Sequence, residues 1–321
     1  MRFVRSSLGP MCTRVFWNDN PIAKVTSRCM DWEVSDEPEL WFHPRGLERS
    51  GGAQPDAATW RSTYSSVALS MWNIGTSDGM NEKGLAAHAL FLDDIEPPTG
   101  TGAPTITVEM WVQYVLDHFA TVAEVLDHID DVQLIAPPIR GQYMGAHLAL
   151  EDPTGDSAII EPIDGRLVVH HGREFTVMAN SPDFDEQLAN LARYAPFGGE
   201  LTPPGDITSL DRFVRASYFR HYLPEPANIA ETVAGVFRVT QNAAVPPGAP
   251  YSDGGVYPTW WHAASDVTNR VYYFWSTLSP SVIWVDLAGL ADGTELLALN
   301  PRLDDLIGDV TGRLASAELA Y

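Results

Sequence analysis

The sequence is poor in cysteine, poor in positive charge and free of long apolar runs. Its 321 residues include two cysteines, Cys12 and Cys29, too few for a disulfide framework or a four-thiolate zinc site but enough for one bridge. A chain this long can bury a core without such a staple. Lys and Arg number 20 against 42 Asp and Glu, a formal charge of −22. Such a surface repels both phosphate backbones and anionic lipid headgroups, so neither nucleic acid nor a membrane is an expected partner. No run approaches the roughly 18 apolar residues of a membrane span. With 25 Gly and 24 Pro the chain is neither fibrous nor of low complexity. What is present, 45% hydrophobic and 19% charged residues, is the composition of a globular protein of one or two domains.

Several catalytic signatures are also missing. There is no G-x-G-x-x-G after a strand, no Walker loop, no H-E-x-x-H and no G-x-S-x-G elbow, so dinucleotide, nucleotide, zincin and serine-hydrolase chemistries lack a foothold. The histidines do not group: His118 and His128 share no helical face, and His170 and His171 point to opposite sides of a strand. No metal and no cofactor is expected. Forty-two carboxylates offer too many acid–base pairs for a glycosidase reading.

No internal repeat or long linker divides the chain. β-Branched and aromatic runs predict strands at 14–17, 25–32, 39–43, 64–73 and 85–92, with Asp78-Gly79 as a turn between the last two. An apolar stripe of Val108, Trp111, Val112, Val115, Leu116 and Phe119 predicts a helix, and Thr121 with Glu124 forms a capping box for the next. Short strands follow at 145–150, 158–161, 167–170 and 175–179. Helices are then expected at 184–194, 210–222 and 229–237, and strands at 271–276 and 282–286. Strands, then helices, then strands imply an α+β fold with antiparallel pairing rather than βαβ repeats.

Cys12 is the residue that points to chemistry. Removal of everything before it frees an α-amine with a reference pKa near 7.7–8.0, on the same Cα as the thiol. Base and nucleophile are then preassembled without a histidine. The preceding eleven residues, MRFVRSSLGPM, lack the roughly 7 to 15 apolar residues of a secretory signal. They are expected to be a leader or a misassigned start, removed to leave a single domain at 12–321 in the cytoplasm rather than the periplasm. If Met11 is the start, methionine removal exposes Cys12; if Met1 is, self-cleavage or a protease must. On position alone, Cys12 also reads as an ordinary buried cysteine.

Arg28 and Asp31 follow Cys12 by 16 and 19 residues, within Ser-Arg-Cys-Met-Asp-Trp. Cys12-Thr13-Arg14 with this element resembles the choloylglycine hydrolase / penicillin V acylase family of N-terminal-nucleophile hydrolases, whose members begin M-C-T and carry R-x-M-D at this spacing. The resemblance continues, in the family's order, through Pro44–Arg49, Asp78–Leu85 (DGMNEKGL), Asn180-Ser181-Pro182-x-Phe184, Pro204-Gly205-Asp206 leading to Arg212–Arg215, and Tyr272–Asp286. It implies a four-layer αββα sandwich and hydrolysis of a linear, non-peptide amide C–N bond. Cys12 would be the nucleophile, Arg28 would favour the thiolate, Asp31 would orient the α-amine, Asn180 would donate to the oxyanion and Arg212 would complete the polar network. Taken singly, each also reads as an ordinary surface pair, turn residue or helix residue.

Three departures accompany the resemblance. Phe91 stands where the family carries Asn or Tyr as second oxyanion donor, leaving only its backbone N–H. Cys29 replaces the usual Asn or Thr and is read as a packing change. Asn180 and Arg212 are 32 residues apart, shorter than in the Gram-positive bile salt hydrolases, whose extra segment helps build a tetramer; its absence weakens the case for a tetramer, while a homo-oligomer, dimer or tetramer, stays open. Met30, Trp32, Phe91 and Leu92 are expected to line an apolar substrate pocket, although each reads equally well as core. The branch resembled implies phenoxyacetyl amides (penicillin V) and N-acyl homoserine lactones, with conjugated bile salts or fatty amides as the alternative. A non-catalytic small-molecule-binding homologue is the rival from another class.

Overall fold

The apolar segments assemble into two large sheets. The structure, a computed structural model, describes residues 11–93, 95–248, 250–251, 254–290 and 292–321. Residues 1–10 of the expected leader lie outside the described residues. The first sheet has seven strands in the order Val177–Met178, Met11–Trp17 (β1), Val25–Asp31 (β2), Thr259–Asp266, Val271–Ser276, Val282–Asp286 and Gly308–Asp309. The second has nine, in the order Arg166–His171, Ser157–Ile163, Ala146–Glu151, Ala86–Phe91, Gly75–Asn81, Ser66–Met71, Leu40–His43, Leu297–Leu299 and Ala315–Ser316. Almost all pairings are antiparallel; the short strand Gly308–Asp309 joins its neighbour in parallel.

Both sheets are covered on both faces, which explains why strands such as β1 and β2 are buried at every position. Between them lies the main core, where Phe16, Met30, Trp261 and Phe274 of one sheet meet Leu69, Met80, Leu90 and Ile159 of the other. Helices α1 (Trp111–His118) and α2 (Val122–Asp127) pack Trp111, Val112, Leu116 and Val125 on the outer face of the nine-stranded sheet. The helix α3 (Phe184–Leu191) precedes α4 (Ser209–His221) and α5 (Ile229–Ala243), and Val233, Val236 and Phe237 of α5 cover Trp17, Val25 and Ala264 on the other side. The result is an αββα sandwich of four layers, as expected. At α2 the expected cap forms on one side, Thr121 accepting from the Glu124 N–H, whereas Glu124 reaches one residue further back and accepts from the Ala120 N–H.

Two local expectations fail for physical reasons. Asp78-Gly79 is not a turn but the middle of the strand Gly75–Asn81. Glycine is used there for close approach: a Cβ at Gly79 would meet Leu116 Cδ1 at 2.8 Å and the Val67 carbonyl at 2.8 Å. The chain reverses on either side instead, at Trp72 and Asn73 (φ 49° and 53°) and at Gly84 (φ 85°). The second is the omission of Thr259–Asp266, the strand that holds β2 to the rest of its sheet; after a β-like start at Thr259–Trp261, Ala263, Ala264 and Asp266 are poor strand formers and hide its β character.

Gly84 donates its N–H to the Asn81 carbonyl at 2.8 Å, and a Cβ there would run into the Val267 carbonyl and Pro153. Gly84→Ala is expected to lower the unfolding free energy by about 1–3 kcal/mol, from left-handed backbone and overpacking together. Urea denaturation checks this; an unchanged midpoint would contradict the clash.

Candidate active site

The register of β1 and β2 builds the site. Cys12 stands opposite Met30 and Arg14 opposite Arg28. Alternation along each strand sends Cys12, Arg14, Arg28 and Met30 to the interior between the sheets, and Thr13, Cys29 and Asp31 toward α4 and α5. The thiol is thus assembled from inside the sandwich and its main chain is held from outside.

On the inner side, Arg28 donates from one terminal nitrogen to Cys12 Sγ at 3.3 Å. Its other terminal nitrogen donates to the carbonyls of Ser77 and Ala89, both at 2.9 Å. Its guanidinium lies 5.0 Å from the Trp261 ring centroid. Met30 Sδ is 3.6 Å from Sγ. Cys12 and Cys29 are both free and buried, so the one possible bridge does not form. Burial pushes the Cys12 thiol up from its ordinary value, with Arg28 the main force pulling it back; the neutral thiol is the resting form.

On the outer side, Arg212 is the organising cation. It donates to the Cys12 carbonyl at 2.5 Å, to Thr13 Oγ1 at 2.6 Å, to Asn180 Oδ1 at 3.0 Å and to the Ile207 carbonyl at 3.1 Å. Asp31 Oδ2 lies 3.8 Å from it, and Asp31 Oδ1 accepts from Thr259 Oγ1 at 2.5 Å. Burial raises the Asp31 carboxyl to about 6, against the pull of Arg212 and Thr259. Asn180 Oδ1 also accepts from the Cys12 backbone nitrogen, here the peptide nitrogen shared with Met11. Asn180 is itself clamped: Ser209 and Gln187 both donate to its carbonyl. Asn180 Nδ2 donates to the Phe91 carbonyl at 2.8 Å.

Beside this lies an aromatic wall. Trp32 packs edge-on against Phe91 at 6.2 Å and against Trp72 at 5.9 Å, and Arg140 caps Trp72 at 4.6 Å. Trp32, Phe91 and Trp72 are partly exposed. Leu92 is buried with its N–H on the Gly145 carbonyl. The structure therefore gathers Arg28 and Met30 around the Cys12 thiol and Asn180, Arg212 and Asp31 behind its main chain, with Trp32 and Phe91 alongside; Leu92 is buried just past the strand Ala86–Phe91. Thr13, Thr259, Ser209, Gln187 and Trp72 escape the sequence reading. Ser209 lies between the recognised Pro204–Asp206 and Arg212–Arg215 segments, whereas nothing in the sequence marks Thr259.

Arg28 meets the sulfur, as the resemblance implies, but the Cys12 nitrogen, expected to meet Asp31, is held by Asn180 Oδ1, because Asp31 turns its carboxylate to Thr259 and Arg212 on the other face of the sheet. The profile described as linear amide C–N hydrolases, choloylglycine hydrolase family, matches residues 12–297. The chain belongs to this family. The penicillin V acylase of Pectobacterium atrosepticum is 39% identical over 309 residues, covering 88% of this chain and 82% of that protein. The solved penicillin V acylase from Agrobacterium tumefaciens superposes with a TM-score of 0.86 at 37% identity, covering 96% of this chain and 98% of that one. A conjugated bile acid hydrolase from Clostridium perfringens shares the fold, with a TM-score of 0.77, at 21% identity over 90% of this chain and 96% of that one. The family makes this protein a hydrolase of linear amide C–N bonds.

Because the folded Asp31 pKa lies above the ordinary 3.8, the native state binds a proton here that the unfolded chain releases earlier. Asp31 therefore favours folding most below pH 4, and that contribution is lost as pH rises toward 6. Asp31→Asn is expected to flatten the pH dependence of the unfolding free energy between pH 4 and 6, measured by denaturant titration at several pH values. An unchanged slope would place the Asp31 pKa near 3.8.

Proposed function

We propose that Cys12 is the nucleophile of the hydrolase, exposed by scission of the Met11–Cys12 peptide bond. The observation that carries this reading is the convergence of Arg28 on Sγ at 3.3 Å and of Asn180 on the Cys12 nitrogen. That the family match begins at residue 12 supports the scission. Once cut, the Cys12 nitrogen is an amine that takes the thiol proton as Sγ attacks the amide carbonyl. The tetrahedral oxyanion collapses to a thioester as the C–N bond breaks, and the proton passes to the departing amine. Water, deprotonated by the same amine, then attacks the thioester, releasing the acid and restoring the thiol.

Each neighbour has a part in that sequence. Arg28 stabilises the sulfur while it is anionic. Arg212 fixes the Cys12 carbonyl and so aims both the thiol and the amine, with Asp31 and Thr259 holding Arg212's charge in place. One N–H of Asn180 Nδ2 is occupied by the Phe91 carbonyl; the second is the donor for the oxyanion, a contact typically worth about 10² to 10³ in rate. The backbone N–H of Phe91 is the second candidate donor in this reading.

The aromatic wall of Trp32, Phe91 and Trp72 favours an aryl or alkyl acyl group, with Met30 beneath it and Leu92 supporting the strand. Relatives named penicillin V acylase support phenoxyacetyl amides first; N-acyl homoserine lactones enter from the branch that the sequence resembles, and conjugated bile salts, the substrate class named for more distant relatives, come last. The resemblance also carries a homo-oligomer, dimer or tetramer, into the reading.

Intact mass of the purified protein is expected to show a chain beginning at Cys12. A fully active protein retaining residues 1–11 would overturn the free-amine mechanism, and an inactive one would favour a binding role. Cys12→Ser is expected to fold normally and lose at least about 10³ in kcat, read with penicillin V, an acyl homoserine lactone and glycocholate. Unchanged turnover would refute the nucleophile.

A further inference from the structure

Behind Arg28 a line of buried charges crosses the space between the sheets. Asp78 Oδ2 lies 3.6 Å from the Arg28 guanidinium and 2.5 Å from His88 Nδ1. The other ring nitrogen, His88 Nε2, is 2.6 Å from Glu151 Oε1, and Glu151 Oε2 accepts from Arg14 at 2.5 Å. Tyr272 closes the line by donating to Asp78 Oδ1 at 2.5 Å. Every one of these side chains is essentially sealed from solvent. With Cys12 ionised, the charges read plus, minus, plus, minus, plus, minus from Arg14 to the thiolate.

His88 is the centre of that line and is not one of the expected site residues. Both ring nitrogens face carboxylate oxygens, and a neutral imidazole has only one N–H to give. Asp78 stands directly opposite His88 across neighbouring strands, so the ring is fixed by register as well as by hydrogen bonds.

We propose that His88 is a positioning residue for the reaction: as an imidazolium pinned between Asp78 and Glu151, it holds Asp78 against Arg28 and thereby holds Arg28 on Cys12 Sγ. The proposal rests on Cys12 being the nucleophile. Burial alone would drive His88 down, but Asp78 and Glu151 together raise it to about 9. The groups facing the ring are Asp78 and Glu151, with Arg28, Arg14 and Tyr272 beyond them; the network is intact below that pH. When the proton leaves, the two buried carboxylates lose the cation between them, and Asp78 no longer has a fixed place from which to orient Arg28. The amine of Cys12 needs to be neutral and so imposes the acidic limb of the activity profile; His88 imposes the basic one.

His88→Gln in the mature protein is expected to lower kcat at least about tenfold with KM little changed, and to remove the basic limb near pH 9. Intact folding with wild-type kcat and an unchanged pH profile would overturn the proposal. Should that variant not fold, NMR titration of the unaltered protein carries the test. One imidazole signal is expected to titrate together with the basic limb; absence of any such signal would overturn the proposal equally. These outcomes are separate from the nucleophile assignment, because Cys12→Ser tests that assignment whatever His88 does.

Discussion

Two arginines stand opposite each other on neighbouring buried strands, and the rest of the site depends on how that arrangement is tolerated. Arg14 and Arg28 are cross-strand partners on the inner face of the seven-stranded sheet. Two guanidinium groups so placed, out of water, repel each other and lose their hydration. The facing sheet answers with Glu151 for Arg14 and Asp78 for Arg28. Those two carboxylates are then themselves close, and His88 lies between them. The compensation is complete only when the sheets are docked face to face in one register, so the charges select one packing of the sandwich. A slip of one residue between β1 and β2 would turn Cys12 and Arg28 to opposite faces and leave the charges unpaired.

The outer side follows a different logic. Arg212 comes from α4 and reaches through the sheet edge to main-chain and side-chain oxygens of Cys12, Thr13 and Asn180. Its nearest carboxylate is Asp31, 3.8 Å away, and burial raises that acid to about 6, so that it carries its full charge only well above that pH. One cation therefore ties β1, the segment at Asn180 and α4 into a single rigid unit. The proposed nucleophile thus sits on a strand clamped by a helix, which positions a side chain better than a loop does. Asn180 gains the same rigidity from Ser209 and Gln187, which fix its carbonyl and leave its amide to face the reaction.

Much of this was legible in the sequence, and the illegible parts share a cause. Cys12, Arg28 and Asp31 are legible through the family resemblance, whose motif occupies two adjacent strands; taken singly each reads as an ordinary residue. The helices of the outer layers are legible from apolar stripes and caps such as Thr121. His88 and Glu151 are lost among 42 carboxylates and nine histidines, and Asp78, though it opens the recognised Asp78–Leu85 segment, has no role there, because their meaning lies in pairings between strands that periodicity does not specify. His88 does leave a trace, as a lone titratable residue in the apolar strand Ala86–Phe91. Thr259 leaves none: a threonine on a strand is ordinary until Asp31 is placed beside it. Gly79 misled in the opposite direction, since glycine marks close approach as readily as it marks a turn.

Burial of the thiol decides which base can serve it. A sulfur sealed between two sheets resists ionisation, and Arg28 only partly offsets that resistance. A proton acceptor must therefore be at hand when the bond forms. No imidazole among the described residues is hydrogen-bonded to Cys12 Sγ, whose partners are Arg28 and Met30. His88 is engaged at both nitrogens, and His147 is bound to Glu161 and the Ala179 carbonyl. Arg28 cannot accept a proton, and Asp31 points its carboxylate to Thr259 and Arg212 on the far face of the strand. For the proposed nucleophile this geometry leaves one base, the nitrogen of Cys12 itself, already oriented by Asn180, and the proposed scission of the bond to Met11 is what would make it one. Burial that would disable a cysteine in mid-chain thus suits one that carries its own amine.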